Sequence, residues 1–291
     1  MRLRRSNEGL SGRGRSRHVF CYLGAEVSGV KSRSLACCLA ACLGAAPVFA
    51  AELDPAVEEV QRCVEHNLPE HSSRQSVLLE RRDRAGNERR LQATVWWKRD
   101  EHDRSRLLAR VETPPDERGT GFLMIEGENG TELFSYLPEL GRVRRVTSRS
   151  ASTFLGTDLS YEDLEELRAV ASRERVERLP DATVGGRPVY VLLGTPMAES
   201  QSAYERVVSQ VDRETCVALH TSLEGAGNRV LKEFVVDFTD VEKQGGRWLP
   251  RKVRFRNLAN GSETRLTLEK VEFEVEIPDR LFTQSELAKG H

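Results

Sequence analysis

The sequence predicts a mainly β protein with few helices, built on one strongly curved antiparallel sheet, and three observations carry that reading. Apolar and polar residues alternate with the two-residue period of a strand through most of the chain after Gln75, as in Phe234, Val236 and Phe238, or Val253 and Phe255 among Arg251, Lys252, Arg254 and Arg256. Turn-forming pairs divide the runs, namely Gly86-Asn87, Pro114-Pro115, Asn129-Gly130, Gly185-Gly186 and Asn260-Gly261, so successive strands form antiparallel hairpins. In the last run Leu266 and Leu268 keep one phase while Val271 and Phe273 are shifted by one, which predicts a bulge near Glu269-Lys270 that bends the sheet. A curved sheet of about a dozen strands with one dry face must close on itself or be covered.

The elements follow in order. Of the 291 residues, residues 1–50 read as an N-terminal extension and a cleavable export signal to be set apart from the fold. Lys31 and Arg33 precede an apolar run from Leu35 to Phe49, and the small-residue pattern at its end places the cut after Ala50. The Arg-rich lead up to Gly29 is too long for such a signal, which suggests translation from Val30. The rival reading is lipid attachment at Cys42 after Leu39-Ala40-Ala41; the apolar run continues past it, which suits simple cleavage better. Residues 51–291 then form a single domain, acidic by 43 Asp/Glu against 36 Lys/Arg, a balance that argues against a nucleic-acid partner. No other apolar run approaches the about eighteen residues that cross a bilayer.

Asp54-Pro55 opens a helix whose apolar face is Val57, Val60, Val64 and Leu68. Strands are expected at 75–83, 88–98, 106–113, 121–126, 131–137 and 142–147, then at 173–179, 188–194, 204–212, 216–223, 230–241, 247–257 and 263–276. Between the two sets lies a polar connection carrying the apolar pair Phe154-Leu155, then a helix whose first turn is capped by Ser160 on the amide of Asp163, with Leu164 and Leu167 at helical spacing. The tail from Pro278 to Leu287 is a short cap anchored by Leu281, Phe282 and Leu287.

Leu-Pro-Glu-Leu-Gly-Arg-Val-Arg-Arg-Val (137–146) and Phe-Leu-Gly-Thr-Asp-Leu-Ser-Tyr-Glu-Asp-Leu (154–164) resemble the signature of the LolA-like family of outer membrane lipoprotein-sorting proteins. The resemblance runs from about Leu53 to about Leu287 and is specific from Gly121 to Leu164. It implies a periplasmic protein with an incomplete, half-open β-barrel covered by an α-helical lid, of the LolA/LolB kind, and an apolar cavity for the acyl chains of lipoproteins or lipids. It also implies an inner-membrane transporter and an outer-membrane acceptor as partners.

Candidate lining groups for such a cavity are Phe122 and Met124 on one strand and Phe134 and Tyr136 on the next, with Trp96, Trp97, Phe234, Phe238 and Phe255 adding to them and Phe154 and Leu155 needing something to cover. The same side chains equally suit a filled β core. Arg142, Arg144 and Arg145 face Asp158, Glu162 and Asp163 across the connection, and Arg144 or Arg145 with Asp158 and Asp163 could latch the lid; the alternatives are a solvated charge cluster, or contact with a lipid phosphate or an acidic partner. Four of the six cysteines lie in the leader, leaving Cys63 and Cys216 either bonded to each other or buried as thiols. No CxxC pair, HExxH or GxSxG is present, so neither a metal, a cofactor nor catalysis is motivated. Beside the carrier stands a second class, a β scaffold accessory to an envelope transporter.

Overall fold

The computed structural model describes residues 56–128, 130–147, 153–169, 176–196 and 202–290; the leader with Cys42, the Asp54-Pro55 cap and Asn129 lie outside them. Helix α1 (Val57–His66) is followed by β1 (Ser72–Arg82), β2 (Glu88–Arg99), β3 (Ser105–Thr113), β4 (Gly121–Gly127), β5 (Gly130–Leu137) and β6 (Arg142–Arg145). Helix α2 (Tyr161–Ala169) then leads to β7 (Val176–Val184), β8 (Arg187–Gly194), β9 (Arg206–Asp212), β10 (Ala218–Gly225) and β11 (Arg229–Val235). A hairpin of β12 (Val241–Gln244) and β13 (Arg247–Pro250) precedes β14 (Lys252–Asn257), β15 (Ser262–Phe273) and a last turn of helix, α3 (Gln284–Leu287).

Thirteen strands form one sheet in the order β6-β5-β4-β3-β2-β1-β15-β14-β11-β10-β9-β8-β7. Every pairing in it is antiparallel, and β15 sews the two halves together between β1 and β14. The end strands β6 and β7 do not meet, so the curved sheet stays half-open. The expected bulge is present: Ser76 pairs with Lys270 but Val77 with Leu268, leaving Glu269 as the extra residue. That insertion returns Leu266, Leu268, Val271 and Phe273 to one apolar cluster.

Two expected strands are broken. The run 230–241 ends at Val235, because the carboxylate of Asp237 accepts from the amide (2.9 Å) and hydroxyl (2.7 Å) of Thr239; a local side-chain turn of this kind competes with a ladder. The run 247–257 divides at Arg251, whose amide donates to the carbonyl of Asp240.

The sheet has an inner face, covered by α1 and α2, where Val77, Leu79, Leu91, Phe122 and Leu223 join Val60 and Val64 of α1 and Leu164 and Leu167 of α2. Its opposite face carries two smaller clusters. One lies under the C-terminal segment, where Ile277, Phe282 and Leu287 meet Leu108, Leu123 and Phe134. The other lies under the β12–β13 hairpin, where Val241 and Trp248 meet Val189, Val191 and Leu219.

Cys63 of α1 and Cys216, just before β10, form a disulfide that closes a loop spanning 153 residues. A link of this reach restricts the unfolded chain and holds α1 to the sheet. Cys63→Ser with Cys216→Ser is expected to lower the unfolding free energy by about 2–4 kcal/mol, read from urea denaturation; an unchanged midpoint would show that α1 is held by its apolar face alone.

Candidate functional site

The connection between β6 and α2 puts its apolar residues into the inner face. Phe154 and Leu155 sit on a 3-10 turn and are each 6% exposed. Leu155 takes φ 49° and Gly156 φ 69°; the first costs a side-chain-bearing residue about 1–2 kcal/mol, an amount that burying the leucine offsets. The positive φ favours glycine at 156, and a Cβ there would displace the guanidinium of Arg89 from its present position. Phe122 of β4 stacks on Tyr161 (4.2 Å between centroids, 15°) and meets Phe154 edge-on (5.6 Å, 85°). Burial pushes the hydroxyl of Tyr161 well above its ordinary pKa.

Polar contacts clamp the same segment. Ser160 and Asp163 form a reciprocal cap, the Asp163 amide donating to the Ser160 hydroxyl (3.2 Å) and the Ser160 amide to the Asp163 carboxylate (2.7 Å). Asp163 is fully buried, and it also accepts from Lys232 Nζ (2.5 Å) and from the hydroxyl of Tyr204 (2.5 Å). Burial, then the charge of Asp163, raises the Tyr204 hydroxyl far above its ordinary pKa, so it stays a donor. Asp158 accepts from Ser262, from Thr264 (2.8 Å), and lies 3.4 Å from Arg81. Glu162 takes the hydroxyl of Ser202 and the amide of Ala203, both at 2.6 Å.

Arg89 holds the connection by its backbone. Its Nη1 donates to the carbonyls of Leu155 (3.0 Å) and Gly156 (3.2 Å), while Nε donates to Glu117 (2.8 Å). The hydrogen bond to Glu117 is the main reason its guanidinium is pushed above the usual value.

Beside this clamp opens a cavity of about 620 Å³ whose wall includes Phe122, Tyr136, Leu155 and Tyr161, with Arg89 and Glu117 at its polar side. The volume falls in the range of roughly 300–1,000 Å³ found for ligand pockets. Of the expected lining groups, Phe122, Tyr136 and Leu155 reach it. Met124, Phe154, Phe234 and Phe255 are buried in the inner-face cluster. Trp97 pairs with Leu107 on that face, half-buried, with the Arg99 guanidinium 5.5 Å above its ring.

Phe134, Trp96 and Phe238 are corrections. Across the turn at Gly127 and Gly130, Phe122 pairs with Ser135 and Leu123 with Phe134, and directly opposed residues share a face. Phe134 therefore points away from Phe122 and Met124, into the cluster under the C-terminal segment with Trp96, and Tyr136 packs against that same cluster while still bordering the cavity. Phe238 lies beyond the end of β11, beneath the guanidinium of Arg187 at 3.5 Å. The latch is corrected too: Arg144 and Arg145 are exposed and Arg145 pairs with Glu132 (3.0 Å), while Asp158 and Asp163 are held by Arg81 and Lys232.

The residues that do hold the connection leave a trace in the sequence. Arg81 continues the inner phase of Val77 and Leu79, Arg89 that of Leu91 and Ala93, Lys232 that of Phe234, and Thr264 that of Leu266 and Leu268. Arg89, Arg81 and Thr264 stand opposite one another across β2, β1 and β15. Polar groups prolonging an apolar phase at strand ends are the signal for a polar row that receives a partner.

A family model described as “uncharacterized protein” matches residues 103–289. The chain belongs to that family. Its LolA-like fold is shared by solved structures. A DUF1329 family protein from Desulfovibrio piger ATCC 29098 is 24% identical, with 79% of this chain and 97% of that one covered and a TM-score of 0.72. A domain from Vibrio parahaemolyticus named for outer membrane lipoprotein sorting is 22% identical over 79% and 97%, TM-score 0.68. A LolA superfamily protein from Nitrosomonas europaea is 18% identical over 80% and 100%, TM-score 0.62. Among curated proteins none matches the sequence. Among the described residues there is no cluster of metal ligands and no helix long and apolar enough to cross a membrane.

Proposed function

We propose that the protein is an exported carrier of the bacterial envelope that shelters acyl chains of a lipoprotein or lipid on the inner face of its sheet. One observation supports this reading above the others: the apolar groups filling the inner face beside the cavity, Phe154 and Leu155, belong to a connection rather than to a strand, and polar contacts from Arg89 hold that connection down. Moving it away leaves the sheet intact and extends the cavity inward over Phe122.

Magnitudes decide whether a ligand can do this. Burying Phe154 and Leu155 stabilises the closed form by about 1.5–3 kcal/mol each, and the two Arg89 bonds add about 1 kcal/mol each. An acyl chain gains about 0.8 kcal/mol per buried methylene, so roughly six to ten methylenes suffice to displace the plug. Ordinary membrane acyl chains exceed that length, whereas short amphiphiles do not. Handing on so firmly held a chain requires a donor and an acceptor, for which an inner-membrane transporter and an outer-membrane receiver are the partners proposed.

Native mass spectrometry with lipid extraction tests the proposal: acyl lipid should accompany the purified protein. Arg89→Gln should raise the apparent affinity for a fluorescent long-chain fatty acid about fivefold to thirtyfold, since the plug loses about 1–2 kcal/mol of restraint. No bound lipid and no uptake by either form would leave the β scaffold, favoured by the Phe122–Tyr161–Phe154 stack that already fills part of the inner face.

A further inference from the structure

Resting on the carrier reading, we propose that the turn between β5 and β6 is a membrane-contacting tip that sets the cavity mouth against a bilayer rich in anionic lipid. Large apolar side chains exposed among the described residues are Leu68, Leu137, Leu140 and Leu258, and two of the four, Leu137 (43%) and Leu140 (42%), stand three residues apart in this turn. Each residue from Leu137 to Arg142 is exposed. The tip is held in shape by Pro138 at the start of its 3-10 turn and by Gly141 at φ 57° at its end.

Charge is placed to match. Leu137 pairs with Arg142 and Ser135 with Arg144, so one face of the hairpin presents a leucine and two guanidinium groups side by side. Arg142 and Arg144 are exposed and make no ion pair among the described residues, Arg145 is held by Glu132, and Glu139 is the turn's own acid. On a chain with a surplus of acidic residues this is a basic spot. Leucines that enter the interfacial layer and arginines that meet lipid phosphates are the two signals that together give lasting adsorption, where either alone is marginal. An acidic protein partner would be met by the arginines and would leave the leucines unexplained. Leu137, Pro138 and Glu139 also form part of the cavity wall, so contact through this tip presents the opening to the layer an acyl chain must leave or enter.

Sedimentation of the purified protein with phosphatidylcholine vesicles, with and without phosphatidylglycerol, tests this. Binding is expected to the anionic vesicles and to fall about 25-fold in Arg142→Ser with Arg144→Ser, at about fivefold per arginine. Leu137→Ser with Leu140→Ser should weaken it about tenfold or more. All four side chains are exposed, and circular dichroism checks that the variants are folded. Wild type that ignores vesicles, or binds neutral and anionic ones alike, or variants that bind as wild type does, would overturn the proposal. Fatty-acid uptake in vesicle-free solution, measured alongside, separates the two readings: Arg142→Ser with Arg144→Ser, and Leu140→Ser alone, all at positions outside the cavity wall, should take up ligand as wild type does, and failure of wild type to do so defeats carriage whatever the vesicles show.

Discussion

Replacing Lys232 with methionine is expected to lower stability by about 3–5 kcal/mol, because it leaves the carboxylate of Asp163 buried without its cation. Asp163 is 0% exposed and Lys232 Nζ lies 2.5 Å from it. The Ser160 amide and the Tyr204 hydroxyl remain as donors, but neither neutral group compensates a full charge. For a domain of this size a loss of that order lowers Tm by about 10 °C. Adding Asp163→Asn to Lys232→Met should recover much of it, since removing both partners deletes the charge as well as its mate. Thermal melting of the three variants is the check; a Lys232→Met melt within about 2 °C of wild type would mean that α2 is not anchored through this pair.

Phe122→Ala carries a comparable effect by a different route. Phe122 is 1% exposed and packs on Tyr161 and Phe154 at once, so truncation removes the contact on which the connection rests. The cost expected for emptying such a site is about 3–5 kcal/mol, measured by urea unfolding. A cost below about 1.5 kcal/mol, typical of a site that collapses or was never filled, would show the connection standing off the sheet in solution. The carrier reading adds a second readout: the vacated space adjoins the cavity, so the folded variant should still take up a long-chain fatty acid.

Much of this was legible beforehand, for reasons that differ by element. The Ser160–Asp163 cap and the Glu269 bulge are local patterns, each complete within a few residues of chain. The interruption at Asp237 was hidden because Phe234, Val236 and Phe238 keep a strand's alternation while a side-chain hydrogen bond turns the backbone. The latch was misplaced because proximity in sequence favoured Arg144 and Arg145, whereas the cations that meet Asp158 and Asp163 come from β1 and β11. The assignment of Phe134 failed on register, since each strand's phase was read correctly but not their relation across the turn.

What the sequence by itself determined is the bent antiparallel sheet and the capped helix in its middle, because hydrophobic period, turn residues and caps act between near neighbours. Only the tertiary structure decided which face each strand turns inward and which charges meet beneath the connection. A one-residue change in register exchanges the two faces of a strand, and apart from the Ser160 cap the side chains that meet Asp158 and Asp163 lie 41 to 106 residues away in the chain, beyond the reach of any local pattern.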